Sequence, residues 1–156
     1  MTTATGDPTT TGDPTAAAPP TDRDRPTTAS LRVRLSESDA YYGGGVVEGA
    51  RVLRLFGDLV TEITVREDGD EGLLSGYSDV RFTAPVAPGD YLEIHGRLVR
   101  RTRLRRVVEL SAFKVISADP ATRPSAARLL PEPQLVCSAT ATTVVPREAV
   151  PRKETP

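Results

Sequence analysis

The sequence predicts an α+β fold in which one long helix packs against an antiparallel sheet of about five strands. Two observations support this. Only one segment has the spacing of an amphipathic helix, and strand-like segments stand on both sides of it, one before and four after. A sheet with one apolar face must bury that face against another layer, and here a single helix is present to cover it.

The helix is predicted from Gly49 to about Arg66. Apolar residues recur in this range at steps of three and four, which places them on one face of a helix. The residues that form this face are Val52, Leu55, Phe56, Leu59, Val60 and Ile63.

The strands are predicted from alternation of apolar and polar residues. In the segment 90–101, Leu92, Ile94 and Leu98 share one face of a half-buried strand. We expect residues 118–133 to form a Pro- and Ala-rich connection. An open sheet edge favours pairing with a second copy, so at least a homodimer is expected. The predicted strands are LRVRL (31–35), LLSGYSDVRFTAPV (73–86), DYLEIHGRLVRR (90–101), LRRVVELSAFKVIS (104–117) and QLVCSATATTVV (134–145).

The 156 residues have the length of one domain, expected at 30–147. Residues 1–29 are almost entirely Thr, Ala, Pro, Gly and Asp, which predicts a disordered tail, and residues 148–156 predict a second one. No secretory signal or membrane-spanning run is present in the sequence. The single cysteine fits a reducing compartment, so a cytoplasmic protein is the default expectation.

Flexible backbone and acidic side chains meet at the start of the predicted helix. Gly43 to Gly45 allow the chain to approach a ligand closely, and Glu48 precedes a helix N-terminus with unsatisfied N–H groups. An acyl carbonyl or its enolate would be stabilised there by the helix dipole. The alternative interpretation is a loose glycine loop with Glu48 acting only as a favourable charge at the helix start.

Asp58 is the second acidic residue of interest, because a glycine precedes it inside the helix. Gly57 costs about 1 kcal/mol relative to alanine, which suggests that another group packs closely beside Asp58. The alternative is an ordinary surface pair between Arg54 and Asp58.

Arginines cluster between residues 97 and 106 and predict a phosphate-binding hairpin. The net charge of −1 and the lack of aromatic residues among these arginines disfavour a nucleic-acid partner, whereas a nucleotide-bearing cofactor needs only a local patch. The only histidine, His95, is expected to be a solvated strand residue, and Cys137 a small core residue. No metal site is predicted.

Several blocks in order resemble the hotdog-fold β-aminoacyl-CoA ammonia-lyases. They are DAYYGGGVVEGARVLRLFGD, DGDEGL, GYSDVRFTAPVAPGDYLE, FKVI and LVCSATATTVVP, and together they span Leu31 to Arg147. The resemblance implies a dimeric hotdog unit that binds an acyl-CoA at the subunit interface and reversibly eliminates ammonia from a 3-aminoacyl-CoA, such as 3-aminobutyryl-CoA to crotonyl-CoA. The family usually has Asn at the position of Gly45, Asp or Asn at that of Glu48, and His at that of Tyr41.

This activity suggests a role for each candidate residue. Backbone N–H groups of Gly49 and Ala50 would hold the enolate oxygen. Glu48 and Asp58 would serve as base and as ammonium partner, in an order that the sequence leaves open, with Tyr42 orienting one of them. Coenzyme A enters as part of the substrate, and no other cofactor is expected. The alternatives are a thioesterase, an enoyl-CoA hydratase or a non-catalytic acyl-CoA-binding module. Predicted CoA-binding residues are Arg103, Arg105 and Arg106.

Overall fold

The computed structural model describes residues 25–146 and Glu148. A short 3₁₀ turn at Glu37–Asp39 precedes a small hairpin, and one 20-residue helix follows it. The elements in chain order are β1 (Thr28–Arg34), β2 (Ala40–Tyr42), β3 (Val46–Val47), α1 (Gly49–Asp68), β4 (Leu73–Phe82), β5 (Tyr91–Arg101), β6 (Arg105–Ala118) and β7 (Ala127–Val144).

Five strands form one antiparallel sheet in the order β1-β5-β6-β7-β4. The predicted α+β arrangement of one helix against this sheet is therefore confirmed. β1 and β4 are its two edges. The helix packs on the inner face, and its predicted apolar residues are all buried there. Leu92 and Ile94 of β5 are fully buried opposite it, as their alternation predicted.

The strand boundaries differ from the prediction at three places. β1 begins at Thr28, inside the predicted tail, because Thr28 and Ala29 pair with β5. β7 begins at Ala127, since residues 127–129 pair with the end of β6. β4 ends at Phe82, so residues 83–86 form a loop. The rest of the predicted tails, at 1–24 and beyond residue 148, lies outside the described residues.

Pro131 and Pro133 led to the prediction of a connection where β7 already runs, because proline cannot donate to a strand ladder. In the structure the pairing with β6 passes from Gln134 directly to Leu129, so both prolines fall in a bulge that needs no ladder hydrogen bond. The strand therefore continues on both sides of them.

The glycine run forms the turn of the β2–β3 hairpin. Gly44 and Gly45 have φ values of 78° and 71°, which side chains rarely adopt. The conformational freedom of these glycines, which the sequence indicated, therefore serves to form this turn. The helix ends in the same way at Gly69, whose φ is 68° and whose N–H bonds to the carbonyl of Val65. Within the described residues, no helix has the length and apolar character needed to cross a membrane.

Candidate active site

The N-terminus of α1 is held in place by the loop that follows β4. The N–H of Val47 donates to the carbonyl of Val86 at 2.8 Å, and this contact fixes the residue before Glu48. Glu48 is extended and makes no side-chain hydrogen bond to the helix. The first N–H groups of a helix have no intrahelical acceptor, so those of Gly49 and Ala50 are available to a ligand.

A charged cavity of about 590 Å³ lies on the β1 side of the helix start. It contains an ion pair, with Arg51 Nε 2.7 Å from Asp39 Oδ1. Burial raises the pKa of Asp39, but hydrogen bonds from Ser36 and Arg51 outweigh it, so the pKa lies below its ordinary value. The polar residues that line this charged cavity are Ser38, Asp39, Tyr41, Glu48, Arg51, Arg54 and Asp58.

Glu48 and Asp58 both line the charged cavity, as a shared site requires. Among the described residues neither carboxylate has an ion-pair partner, and the alternative Arg54–Asp58 surface pair does not form. Ten residues of helix separate them, which corresponds to about 15 Å along the axis. The C2 proton and the amino group of one substrate are only a few bonds apart, so this axial separation is large for two carboxylates of one chain that would act on the same substrate.

An apolar cavity of about 650 Å³ lies on the opposite side of the helix start. Gly49 and Ala50, which carry the predicted enolate donors, are among the residues that line it. Tyr42 lines it as well, with its ring edge-on to Tyr41 at a centroid distance of 5.3 Å. No hydrogen bond within residues 25–146 joins Tyr42 to either candidate carboxylate, so the structure does not show the predicted orienting role.

The ring of Phe82, which is not among the predicted site residues, packs against the helix start. A Cβ atom placed on Gly49 would lie 2.6 Å from Phe82 Cζ and 2.7 Å from its Cε1. The aromatic ring thus lies against the first residue of the helix. Only a long-range register between β4 and β7, with Phe82 opposite Cys137, brings it there, so no local sequence signal could have found it.

Tyr77 packs beside the glycine that precedes Asp58. Its hydroxyl donates to the carbonyl of Leu53 at 2.7 Å, and a Cβ on Gly57 would lie 3.4 Å from the same oxygen. Burial raises the pKa of Tyr77, and the negative charge of Asp58 raises it further. A side chain therefore packs against the helix at Gly57, as that glycine suggested, while Asp58 itself lines the charged cavity.

The arginine hairpin lies at the far end of the helix, and one of its predicted CoA ligands is buried. Arg106 is 1% exposed, and its guanidinium bonds to both carboxylate oxygens of Asp68 and to the carbonyls of Thr102 and Arg105. The assignment of Arg106 to CoA is corrected: its donors are committed to closing the helix C-terminus.

Arg103 and Arg105 are exposed and stay candidates for phosphate contacts. Their hairpin is tied to Asp68, the last residue of α1, about 28 Å from Gly49 by the helix rise. Arg97 and Arg101 are already paired with Glu109 and Glu67. The cluster is therefore less free to bind phosphate than its sequence suggests.

The remaining candidates occupy the positions that the sequence predicted. His95 is exposed on the outer face of β5, with its ring tilted against Phe113. Cys137 is fully buried, and burial raises the pKa of its thiol to about 11, which leaves it protonated and unreactive. The part of the chain that the structure describes contains no group of three or more potential metal-ligating side chains.

The chain is similar to proteins of one family by sequence and by structure. It is 45% identical over 118 residues to the 3-aminobutyryl-CoA ammonia lyase of Acetoanaerobium sticklandii, covering 76% of this chain and 94% of that protein. The β-alanyl-CoA:ammonia lyase from Clostridium propionicum superposes with a TM-score of 0.77 at 32% identity, over 83% of this chain and 93% of that one. No family model matches the sequence.

A more distant likeness establishes the fold alone. A hexameric hotdog-fold thioesterase of Campylobacter jejuni superposes with a TM-score of 0.60 at 22% identity, over 82% of this chain and 88% of that one. The helix and five-stranded sheet described above are therefore a hotdog fold, as the sequence predicted.

Proposed function

Because this chain belongs to the β-aminoacyl-CoA ammonia-lyase family, we propose that it is a carbon–nitrogen lyase that reversibly eliminates ammonia from a 3-aminoacyl-CoA. 3-Aminobutyryl-CoA, which would yield crotonyl-CoA and ammonium, is the proposed substrate. One observation carries the proposal: the open helix N-terminus lies between a charged and an apolar cavity. A 3-aminoacyl thioester has three groups that match these surroundings. Its carbonyl oxygen suits the helix N-terminus, its ammonium the charged cavity and its alkyl substituent the apolar cavity.

The helix N-terminus would stabilise the negative charge that develops during the reaction. Removal of the C2 proton turns the thioester carbonyl into an enolate, whose oxygen would accept hydrogen bonds from the N–H groups of Gly49 and Ala50. The positive end of the helix dipole favours the same charge. The C3–N bond then breaks as the C2=C3 double bond forms, and the protonated amine leaves as ammonia, which takes up the proton removed from C2 to become ammonium.

Two carboxylates would handle the protons. One takes the C2 proton as general base, and the other holds the ammonium through a charge-assisted hydrogen bond. Glu48 stands at the helix start and has no ion-pair partner within residues 25–146. Since Asp58 of the same chain is too far along the helix, the second carboxylate comes from a second copy of the chain.

The exposed edge of β4 supports a homodimer. All but one of its ten residues are exposed, and four of them are large and apolar: Leu73, Leu74, Val80 and Phe82. An unpaired apolar edge strand pairs readily with a second copy across a two-fold axis, which extends the sheet. Asp58 lines the charged cavity, and its charge also reaches Tyr77 of β4, whose pKa it raises. We therefore place Glu48 of one protomer and Asp58 of the partner subunit in one site.

The proposed reaction uses no cofactor besides the coenzyme A of the substrate, because the thioester itself acidifies the C2 proton. The buried, protonated Cys137 is compatible with a reducing compartment, and we propose that the enzyme acts in the cytoplasm.

Incubation with crotonyl-CoA and ammonium tests the proposed function. The expected result is loss of the enoyl chromophore that depends on ammonium, with 3-aminobutyryl-CoA as product. Release of a free thiol would indicate a thioesterase, and formation of 3-hydroxybutyryl-CoA without ammonium a hydratase. Binding of crotonyl-CoA without any product would indicate a binding module. Each of these three outcomes would overturn the proposal.

A further inference from the structure

The walls of the apolar cavity differ in how firmly they are held. The loop between β4 and β5 forms one wall, and Lys114 anchors it by donating to the carbonyl of Pro85 at 2.8 Å. Asp90 pairs with Lys114 and accepts the N–H of Ala87. The helix wall includes Val52, which is buried in the core. These walls are fixed by buried contacts.

Two aromatic residues of the lining are exposed in the single chain, Tyr42 at 57% and Phe82 at 55%, and of these the ring of Phe82 lies against the helix start. Phe82 stands at the end of an edge strand, and the next residue, Thr83, is fixed by hydrogen bonds to the carbonyls of Val136 and Leu135. The backbone of Phe82 is thus well positioned while its ring borders open space. The ring stands against Gly49, whose N–H is one of the two proposed enolate donors.

The chemistry of the lining indicates what the cavity takes. None of the residues lining it is charged, among those that the structure describes. The ammonium of a 3-aminoacyl group would be costly to desolvate there, whereas an alkyl group would be favoured. The ammonium therefore belongs on the side of the charged cavity, and the substituent on C3 points towards Phe82.

We propose that Phe82 sets the largest C3 substituent that the enzyme accepts, by closing the apolar cavity beside the helix start. This inference rests on the proposed function. A methyl group, as in 3-aminobutyryl-CoA, fits beside the ring. Longer chains must displace the ring before they reach the remaining cavity. Gly49 belongs to the same arrangement, since any side chain there would collide with the ring.

The test replaces Phe82 with alanine, leucine and tryptophan and measures kcat/KM for ammonium addition to crotonyl-CoA and to trans-2-hexenoyl-CoA. Two additional methylenes that become buried correspond to about a sixteenfold change, at roughly fourfold each. In Phe82→Ala the ratio of hexenoyl to crotonyl activity should rise about sixteenfold over wild type. Phe82→Leu should give a smaller rise, and Phe82→Trp a fall. Phe113→Ala, a matched change on the outer face of the sheet, should leave the ratio unchanged.

A second measurement separates this inference from the proposed function. Calorimetry measures the affinities for the saturated thioesters butyryl-CoA and hexanoyl-CoA, which cannot add ammonia. The ratio of these two affinities reports the same size selection by binding alone. If wild type shows no ammonium addition while the binding ratio shifts in Phe82→Ala or Phe82→Leu, the function is wrong and the size limit stands. The role of Phe82 is wrong if the folded variant, Phe82→Ala or Phe82→Leu, keeps both the wild-type ratio of activities and the wild-type ratio of affinities.

Discussion

The two cavities at the helix start differ in which residues make them and in how those residues could be found. The charged cavity is built by the chain around the helix start itself, from Asp39 to Asp58. The apolar cavity adds Phe82, the following loop and Val136, which join it only through the sheet. Local sequence therefore supplies the reactive groups, and long-range packing supplies the surface that selects the acyl group. Chemistry and specificity should respond to different substitutions.

The largest effect is expected at Glu48. Glu48→Gln keeps the shape of the side chain but removes the charge, and it should lower kcat by about 10²-fold or more, the usual loss for a positioned acid or base. The loss should be the same for crotonyl-CoA and hexenoyl-CoA. Glu37→Gln, an exposed carboxylate outside the cavity, serves as the control in the same steady-state assay. A loss that depended on the length of the acyl chain would contradict the assignment of catalysis to the charged cavity and of acyl-group selection to the apolar cavity.

A tenfold effect is expected for the phosphate end of the substrate, which neither cavity binds. Replacing Arg103 and Arg105 together with alanine should raise KM about tenfold, or about 1.4 kcal/mol, and leave kcat unchanged. The increase should be equal for all acyl chains. The matched control is the double alanine variant of Arg123 and Arg128, two exposed arginines on the β6–β7 hairpin. An equal KM in both double variants would show the cluster to be an ordinary solvated surface.

A smaller, pH-dependent effect is expected at Asp39. Its folded-state pKa is depressed, so its contribution to stability is present above the ordinary value of 3.8 and is lost as the pH falls through the folded pKa. Asp39→Asn should lower the free energy of unfolding by about 1 kcal/mol at pH 7. Denaturant titrations should show wild type and variant converging as the pH falls below 3.8. A constant difference across this range would contradict the assigned ion pair.

The smallest effect is expected at Gly57. A Cβ there would make ordinary contact with Tyr77 Oη at 3.4 Å, so alanine fits and should stabilise the helix by up to about 1 kcal/mol. Thermal unfolding of Gly57→Ala measures this gain, with Gly76→Ala in the exposed strand as a comparison. Destabilisation would show that the tyrosine packs against the helix more tightly than the structure indicates.

The sequence alone predicted the helix, the sheet class and the charged side of the site, because periodicity and a helix start are local patterns. Glu48 and Asp58 were singled out in this way, and both line the charged cavity, while their catalytic roles stay a prediction. Arg106 was misassigned because a cluster of arginines looks the same whether it is solvated or tied to Asp68. Phe82 and Tyr77 act through strand register and side-chain direction, which single-sequence patterns do not determine.

The central claim is that each site takes Glu48 from one protomer and Asp58 from the partner subunit. Co-expression of Glu48→Gln and Asp58→Asn chains carrying different tags allows mixed dimers to be purified. Each mixed dimer contains one site with both carboxylates intact and one with neither, so about half of the wild-type kcat should return, although each variant alone is nearly inactive. If the mixed dimers are no more active than the two parents, the carboxylates do not meet across the interface, and the account is wrong.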